Sequence, residues 1–465
     1  MLDTPPRTGV EDDGIAESGE PARRSRLNSQ TPWLPYLLLV VIAFVAVGVH
    51  VFAYTVIGPK DELQHMDYAD KISHFTFPVF PEKIGQRALA EEACRGLDDG
   101  FDAKLPKCDD TPYRNKDFQE GGLSTQTFHP PLYYAMVGFP ARAITAVLGL
   151  EGQVGVERAL GAVWLAIGLC LALATAQRLG ASTWATFGML IGIATIAQVL
   201  FAQSTVSNDA TAFCTGALAL WALVRYRGSR TGLLLLGLVG FFAGATKITN
   251  GFGIGTACLF ALFAPAAALA IPLADSWRES WKPRAKIVAA FAGGYLIANA
   301  IWGVVFETTQ LKAPRDLSIF NRFAPKKLTY KIVLDQVFAF ENPFRTYVPK
   351  IFSGPLMSTT GLLVILAVLA AAYGSWMFLF QTKRTAAVLG ACVSSLLLLG
   401  GPLQFMFVYF ATSAGYTETR YSFSMLPAIA IVGGLLATRA STRVLVAIGS
   451  ASAIATIGVG MSHLV

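Results

Sequence analysis

Two adjacent acids and a histidine follow the first long apolar segment of this 465-residue chain. The stretch GPKDELQH at 58–65 contains Asp61 and Glu62, and His65 comes about one helical turn after Asp61. Carboxylates and imidazoles are the groups that general acid–base catalysis uses. The same residues also suit the start of a surface helix, because acids in a first turn complement the helix dipole and Pro59 favours helix initiation.

A helix over residues 60–72 brings a third kind of group to the same place. With helical periodicity, Asp61, His65, Tyr68 and Ile72 share one face. A carboxylate, an imidazole and a phenol are then aligned just beyond an apolar segment. The spacing is compatible with an active site as well as with a capped helix.

Four later stretches also place polar groups at the ends of apolar segments. They are TFHPPLYYA at 127–135, STVSND at 204–209, GATKITNG at 244–251 and TETRYSFSMLP at 417–427. In the first, Pro-Pro keeps the chain extended before a helix, the tyrosines suit a membrane interface, and His129 is typical of a solvated loop. In the second, Asn208 or Asp209 suits the N-cap of the helix that follows.

The last two of these stretches carry cations. Lys247 lies at the outer end of a predicted helix, where a lysine can extend its charge to water. Arg420, followed by Tyr421, lies at the start of a predicted helix. A positive charge is at the unfavourable end of the helix dipole there, which favours a ligand-binding role for Arg420.

The composition predicts the elements that position these groups. The chain is 54% hydrophobic and only 14% charged, with repeated apolar runs of roughly 20 residues, whereas soluble domains contain about 25% charged residues. These runs predict an all-α polytopic membrane protein, because no run alternates as a barrel strand does. The net charge of +7 does not indicate nucleic-acid binding.

The N-terminal region predicts the orientation. Residues 1–31 are too polar to form a core and predict a disordered tail, followed by a membrane domain over 32–465. The first apolar run, 33–57, is too long for a signal-peptide core and is expected to remain as an anchor. Arginines at the end of the tail place the N-terminus in the cytoplasm, and 58–65 therefore outside.

The remaining apolar runs are expected to give eleven spanning helices with the first. They lie at roughly 156–178, 182–202, 209–225, 231–248, 250–273, 286–306, 356–380, 386–411, 421–438 and 441–463. The run 131–150 contains Pro140 and Arg142 and is ambiguous. If it lies in the outer interface or enters without crossing, the short basic connections all fall on the cytoplasmic side, as the positive-inside rule requires. This topology puts all the polar stretches named above outside.

Two long loops are also expected outside, at 58–155, with interfacial helices, and at 307–355. Residues 58–130 carry 14 acids against 9 Lys/Arg, whereas basic residues outnumber acids in 307–355. A basic loop beside an acidic one suits an anionic ligand or a phosphate headgroup, and equally suits two loops that attract each other. Cys94 and Cys108 lie in the first loop, in an oxidising compartment, and predict a disulfide.

The order of the motifs resembles the GT-C superfamily of membrane glycosyltransferases, which use polyprenyl-phosphate-linked sugars. The chain has DE-x-x-H after the first helix, then HPPLYY, ND and a late RY…P, which resembles a bacterial branch with DE-x-x-H, HPPLYY, ND and GRY-x-x-P; protein O-mannosyltransferases and aminoarabinose transferases are more distant. The chain departs from the usual pattern in having Thr419 in place of a small residue before Arg420, and in reading Asp-Glu-Leu-Gln-His at 61–65 where DEP-x-H is usual. The resemblance covers most of 33–430.

The resemblance implies a sugar transferase whose site faces outward from a bacterial cytoplasmic membrane. It implies Asp61 as the base, or as the ligand of a divalent cation such as Mg²⁺ or Mn²⁺, although no ligand spacing indicates a metal. Glu62 is expected as a second catalytic acid. The expected substrate contacts are His65, His129, Asp209, Lys247, Arg420 and Tyr421. The implied partners are a polyprenyl-phosphate sugar, a glycan, lipid or protein acceptor, and membrane lipids.

Two other classes of function remain open at this point. Gln198, Asn250 and Asn299 lie inside apolar runs and could line the path of a transporter or flippase for a lipid-linked glycan. The charged groups, however, stop at the outer face, and no internal repeat is evident. A relative that binds a glycan without catalysis is the other alternative, against which the intact Asp61 and Arg420 weigh.

Overall fold

The computed structural model describes most of the chain. The described residues are 33–59, 61–80, 82–98, 105–150, 152–265, 268–269, 277–309, 329–330, 384–412 and 419–464. The predicted tail 1–31, most of the predicted loop 307–355 and the predicted span 356–380 lie outside them.

These residues form fourteen α-helices and no strand. The helices are α1 Leu34–Ala53, α2 Glu62–Ser73, α3 Gln86–Arg95, α4 Leu132–Leu148, α5 Val154–Arg178, α6 Thr183–Ala194, α7 Ala197–Ser204, α8 Ala210–Arg225, α9 Arg230–Thr246, α10 Gly251–Phe263, α11 Trp277–Thr309, α12 Arg384–Thr412, α13 Leu426–Leu436 and α14 Arg439–Ser462. Short 3₁₀ turns join several of them, including Thr419–Met425 before α13. The protein is therefore an all-α membrane protein, as its composition predicts.

Five of the described helices are long and apolar enough to cross a membrane, namely α1, α5, α11, α12 and α14. The pair α6 and α7 counts as a sixth span if the two are taken together. Five shorter apolar helices accompany them, among them α4, α8 and α9. The number of eleven spans and the outer position of α4 stay predictions.

The predicted span 182–202 is broken in the structure, where α6 and α7 meet at an angle of 68°. At the break, the Thr195 hydroxyl donates to the carbonyl of Ile191 at 2.8 Å and lies 2.7 Å from the Ser452 hydroxyl. A threonine side chain that bonds back to its own helix competes with the helical ladder and bends it. The bend directs the end of α7 towards the turn at 204–209.

Two close approaches of backbone position the elements that carry the polar stretches. A Cβ atom on Gly216 of α8 would lie 1.8 Å from the carbonyl oxygen of Ser424, and one on Gly161 of α5 equally close to that of Gln203. Small residues allow such approaches between membrane helices. The 3₁₀ turn that carries Arg420 therefore packs directly on α8, and the end of α7 on α5.

The first long loop folds against this bundle as a compact unit of α2, α3 and 3₁₀ turns. Helix α2 packs on α4, where a Cβ on Gly138 would lie 2.3 Å from the carbonyl oxygen of Ala69. Cys94 at the end of α3 is disulfide-bonded to Cys108, which is the pairing that the sequence predicts. The Lys71 ammonium of α2 pairs with Asp67 of the same helix at 2.9 Å and with Glu82 of the segment that follows at 3.3 Å.

Candidate functional site

Four charged side chains from four separate segments meet in one chain of ion pairs. Lys247 Nζ lies 2.5 Å from Asp209 Oδ1, and Arg420 Nη1 lies 3.3 Å from Asp209 Oδ2. Arg420 Nη2 lies 3.6 Å from Asp61 Oδ2. We call these four residues the ion-pair network. It brings together four of the residues that the sequence singles out, from positions up to 359 residues apart (420 − 61).

The network is buried at one end and accessible at the other. The side chains of Asp209 and Lys247 are only 2% and 3% exposed, whereas those of Asp61 and Arg420 are 22% and 19% exposed. A ligand that approaches from outside the protein therefore reaches Asp61 and Arg420 first.

Asp61 has an unusual backbone conformation. It immediately precedes α2 and adopts φ 62° and ψ 9°, in the left-handed region, and its side chain makes no capping hydrogen bond to α2. Aspartate tolerates this region better than most residues, but the conformation is uncommon and is often found at functional sites. The predicted alternative of a helix cap is therefore not realised, and the carboxylate is directed at Arg420 instead.

Asp209 likewise precedes a helix without capping it. It occupies the N-cap position of α8, but its side chain makes no capping hydrogen bond. Its Oδ2 accepts a hydrogen bond from the Ser207 hydroxyl at 3.1 Å, and both oxygens face cations. Burial opposes ionisation, but Lys247 and Arg420 outweigh it and hold the pKa of Asp209 below its usual range. Asp209 is thus a fixed anion that holds two cations.

The two histidines lie beside the network in a column of aromatic rings. His65 Nδ1 is 2.8 Å from the Tyr134 hydroxyl, and the rings of His65 and His129 are stacked with centroids 6.3 Å apart. Tyr68 stacks on Tyr134 at 3.8 Å and donates a hydrogen bond to the carbonyl of His129. His65 and Tyr68 therefore do face the same way, as the helical spacing predicts.

Both imidazoles are held neutral. Burial lowers the pKa of His65 well below its usual value, and His129 and Lys247 lower it further. Burial, and then Lys247, lower the pKa of His129 to about 3. Neutral histidines contribute hydrogen bonds rather than positive charge, so among the described residues of the site the cations available to an anionic ligand are Lys247 and Arg420.

The tyrosines of the HPPLYY stretch, which suit a membrane interface by sequence, point into the protein interior. Tyr133 and Tyr134 are both fully buried. The backbone N–H of Ser207 donates to the Tyr133 hydroxyl at 3.0 Å. The two rings therefore connect α4 to α2 on one side and to the turn before Asp209 on the other, which a membrane-facing tyrosine would not do.

Tyr421 lies against the cations of the network. Its ring centroid is 5.5 Å from Lys247 Nζ and 6.0 Å from Arg420 Cζ. These are cation–π distances. The residue expected as a substrate contact therefore also orients the two cations.

Glu62 does not lie at the edge of the site, where a second catalytic acid was expected. Its side chain is 2% exposed and forms a bidentate ion pair with Arg158, in which the Nε–Oε1 and Nη2–Oε2 distances are both 2.8 Å. Oε1 also accepts from the N–H of Val206 at 2.8 Å, and Oε2 from that of Gly58 at 2.7 Å. Four donors form hydrogen bonds to the two oxygens, so this carboxylate has a structural role.

Arg158 is a residue of this region that the sequence motifs do not predict. It lies near the start of α5, inside a predicted apolar span, and is 1% exposed. Besides Glu62, it binds the carbonyls of Tyr54 and Val56 at the end of α1, at 2.5 and 2.6 Å. Placing an arginine within an apolar run costs free energy in a membrane, so its position in the sequence already indicates that it has a partner or a function.

The donor set does not suit a divalent cation. Among the described residues there is no group of three or more His, Cys, Asp or Glu side chains close enough to share a metal ion. Asp61 and Asp209 converge on the Arg420 guanidinium rather than on a common empty position. The positive charge that a phosphate would meet comes from side chains, and we derive no step through a metal.

Two of the amides considered for a transport path have local partners. The Asn250 amide nitrogen donates to the hydroxyls of Thr246 and Thr211, and that of Asn299 to the carbonyl of Tyr295. The Asn250 side chain thus joins α8 and α9, whereas the Asn299 hydrogen bond stays within α11. Comparison of the chain with models of known protein families, with curated proteins and with solved structures finds no match.

Proposed function

We propose that this protein transfers a sugar from a polyprenyl-phosphate-linked donor to a hydroxyl group of an envelope acceptor. The reaction takes place at the outer face of a bacterial cytoplasmic membrane. The observation that carries the proposal is the ion-pair network itself. A partly exposed carboxylate, Asp61, lies beside Arg420, and a buried second carboxylate, Asp209, fixes both Arg420 and Lys247.

The network supplies the two things that this transfer needs. The acceptor oxygen attacks the anomeric carbon, the bond from that carbon to the phosphate oxygen breaks, and the acceptor proton passes to Asp61. Polyprenyl phosphate leaves with one more negative charge, which Arg420 and Lys247 stabilise. The phosphate needs no proton to leave, so one catalytic carboxylate suffices, in contrast to the carboxylate pair of glycoside hydrolases.

The remaining residues of the site have supporting roles in this proposal. Asp209 fixes both cations, and Tyr421 orients them. His65 and His129 offer neutral hydrogen-bonding groups to the phosphate or the sugar. Glu62 is not proposed as a catalytic acid, because its oxygens are occupied by Arg158 and by two backbone N–H groups.

The experiment uses the full chain in phospholipid vesicles. Polyprenyl phosphate is the product shared by all donors of this class, so its binding can be measured without knowledge of the sugar. A panel of polyprenyl-phosphate hexoses and pentoses, offered with an envelope extract as acceptor, then measures release of polyprenyl phosphate. Asp61→Asn is compared with Asp70→Asn, which changes an acid of α2 that pairs with Arg87 outside the network.

We expect the wild-type protein to bind polyprenyl phosphate and to release it from at least one donor. Asp61→Asn should reduce release at least about 100-fold, the usual contribution of a general base, while binding persists. Asp70→Asn should behave as the wild type. Equal affinity for polyprenyl phosphate and for uncharged polyprenol would refute the phosphate site. Movement of an intact donor across the bilayer, without cleavage, would instead identify a flippase.

A further inference from the structure

The Glu62–Arg158 pair connects the two turns that carry the carboxylates of the site. Glu62 directly follows Asp61 in the chain, and Val206, whose N–H it accepts, lies three residues before Asp209. Its other oxygen accepts the N–H of Gly58, which closes the turn that contains Asp61. A single side chain therefore holds the backbone of both turns, 144 residues apart.

Arg158 makes this arrangement rigid. Its guanidinium donates hydrogen bonds to both oxygens of Glu62 and, at the same time, to the carbonyls of Tyr54 and Val56, which follow α1. The Tyr54 ring lies 5.2 Å from the Arg158 Cζ atom. Four segments are thereby fixed around one carboxylate: the end of α1, the turn before α2, the start of α5 and the turn before α8.

We infer that Glu62, held by Arg158, is a positioning residue that fixes Asp61 and the Asp209 turn relative to each other. As far as turnover is concerned, this inference rests on the proposed sugar transfer. The left-handed conformation of Asp61 is the local consequence: the turn closed by Glu62 directs the Asp61 carboxylate to Arg420. Without Glu62, the turn is expected to relax and Asp61 to lose this direction.

Stability alone does not account for a buried pair at this place. Removing two charges from water is costly, and well-packed apolar residues of similar size often replace such pairs without loss of stability. Apolar residues, however, cannot accept the N–H groups of Gly58 and Val206. What the carboxylate provides beyond packing is the fixed distance between the two turns.

The paired variant Glu62→Leu/Arg158→Met separates the two contributions, because it keeps the packing and removes the acceptor of the Gly58 and Val206 N–H groups. It removes both charges together, so no unpaired charge remains buried. We expect it to fold and to bind polyprenyl phosphate within about threefold of the wild type, because Lys247 and Arg420 are intact. Release of polyprenyl phosphate should fall at least about tenfold, because the base is misdirected. Glu62→Gln, which keeps the shape but loses the charge, serves as a second variant.

A double-mutant cycle separates positioning from general weakening. Asp61→Asn is introduced into the wild type and into the paired variant. If Glu62 acts through Asp61, the second loss is at most about threefold, because residues that act as a unit are strongly non-additive. A matched control, Asp70→Asn/Arg87→Met, removes a 2.9 Å ion pair of α2 outside the site, and there Asp61→Asn should cost its full effect.

Hydrogen exchange tests the inference even if the sugar transfer is wrong. In the paired variant, the amides of segments 56–64 and 204–209 should both exchange faster than in the wild type, with 86–95 unchanged. Unchanged exchange at 204–209 overturns the inference, as does wild-type turnover in the paired variant or a full additional loss from Asp61→Asn. A wild-type protein that neither binds polyprenyl phosphate nor cleaves a donor instead refutes the proposed function alone.

Discussion

Replacing Lys247 by methionine tests whether the buried end of the network is an ion pair. Lys247→Met keeps the length and most of the volume of the side chain and removes its charge. Asp209 then stays buried, with its side chain 2% exposed, and loses the ammonium at 2.5 Å. Arg420 remains at 3.3 Å and the Ser207 hydroxyl at 3.1 Å, so the carboxylate keeps part of its compensation.

The magnitude follows from these contacts. Removing one member of a buried pair typically costs about 3–5 kcal/mol, and the remaining Arg420 places Lys247→Met at the lower end, at about 3 kcal/mol of unfolding free energy. The double variant Lys247→Met/Asp209→Asn removes the buried carboxylate charge of the network together with its partner. It should come within about 1 kcal/mol of the wild type, the scale of one neutral hydrogen bond.

The variants also differ in how their stability depends on pH. The pKa of Asp209 is lowered in the folded wild type, so its charge contributes stability above its unfolded pKa of about 4 and the contribution is lost as the pH falls below that. Without Lys247 the folded pKa rises towards the unfolded value, so the loss still begins near pH 4 but should be smaller. The double variant lacks the titrating group and should not show it.

The assay is equilibrium unfolding by urea of the detergent-solubilised protein, followed by the fluorescence of its tryptophans. Arg114→Met is the control, because it removes a 2.8 Å ion pair with Asp117 in which Arg114 is 72% exposed. Such surface pairs contribute about 1 kcal/mol or less. A loss no larger for Lys247→Met than for Arg114→Met, or a double variant less stable than Lys247→Met alone, would refute the reasoning.

Two further predictions concern the histidines and Arg420. Because the pKa of His129 is lowered to about 3 in the folded state, its neutral form contributes stability above pH 6.5 that is lost as the pH falls from there towards 3. His129→Gln should flatten the fall of the unfolding temperature between pH 6.5 and 4, whereas His74→Gln, on the surface, should not. Arg420→Gln should lower kcat and kcat/KM for donor cleavage by similar factors, and an effect on KM alone would place Arg420 in ground-state binding.

The sequence predicts the location of the site better than its internal connections. Each residue of the network ends or begins an apolar segment, and the positive-inside rule puts those ends on one side. That Asp61, Asp209, Lys247 and Arg420 belong together can therefore be inferred without a structure. Which acid pairs with which cation cannot, because several pairings are compatible with one shared face.

Glu62 shows where pattern-based reasoning fails. Its neighbour Asp61 and the helix start make it look equivalent to Asp61, yet Asp61 precedes α2 in a left-handed conformation and Glu62 is the first residue of the helix. Glu62 therefore points into the protein, where Arg158 meets it from a position 96 residues later. The buried tyrosines and the bend between α6 and α7 have the same origin, since both depend on contacts made only after the helices pack.

The charges of the network explain why the two cations have different tasks. Two carboxylates and two cations sum to zero, so the network is not simply a positive trap for phosphate. In the proposed transfer, the donor phosphate gains one negative charge while the acceptor proton neutralises Asp61. Lys247, bound to the buried Asp209, keeps its partner throughout. Arg420 lies between Asp61 and Asp209, and as Asp61 loses its charge Arg420 can turn to the phosphate that acquires it. An interaction that strengthens only as charge develops lowers the barrier without tightening substrate binding, which is why Arg420, rather than the more deeply buried Lys247, should determine kcat.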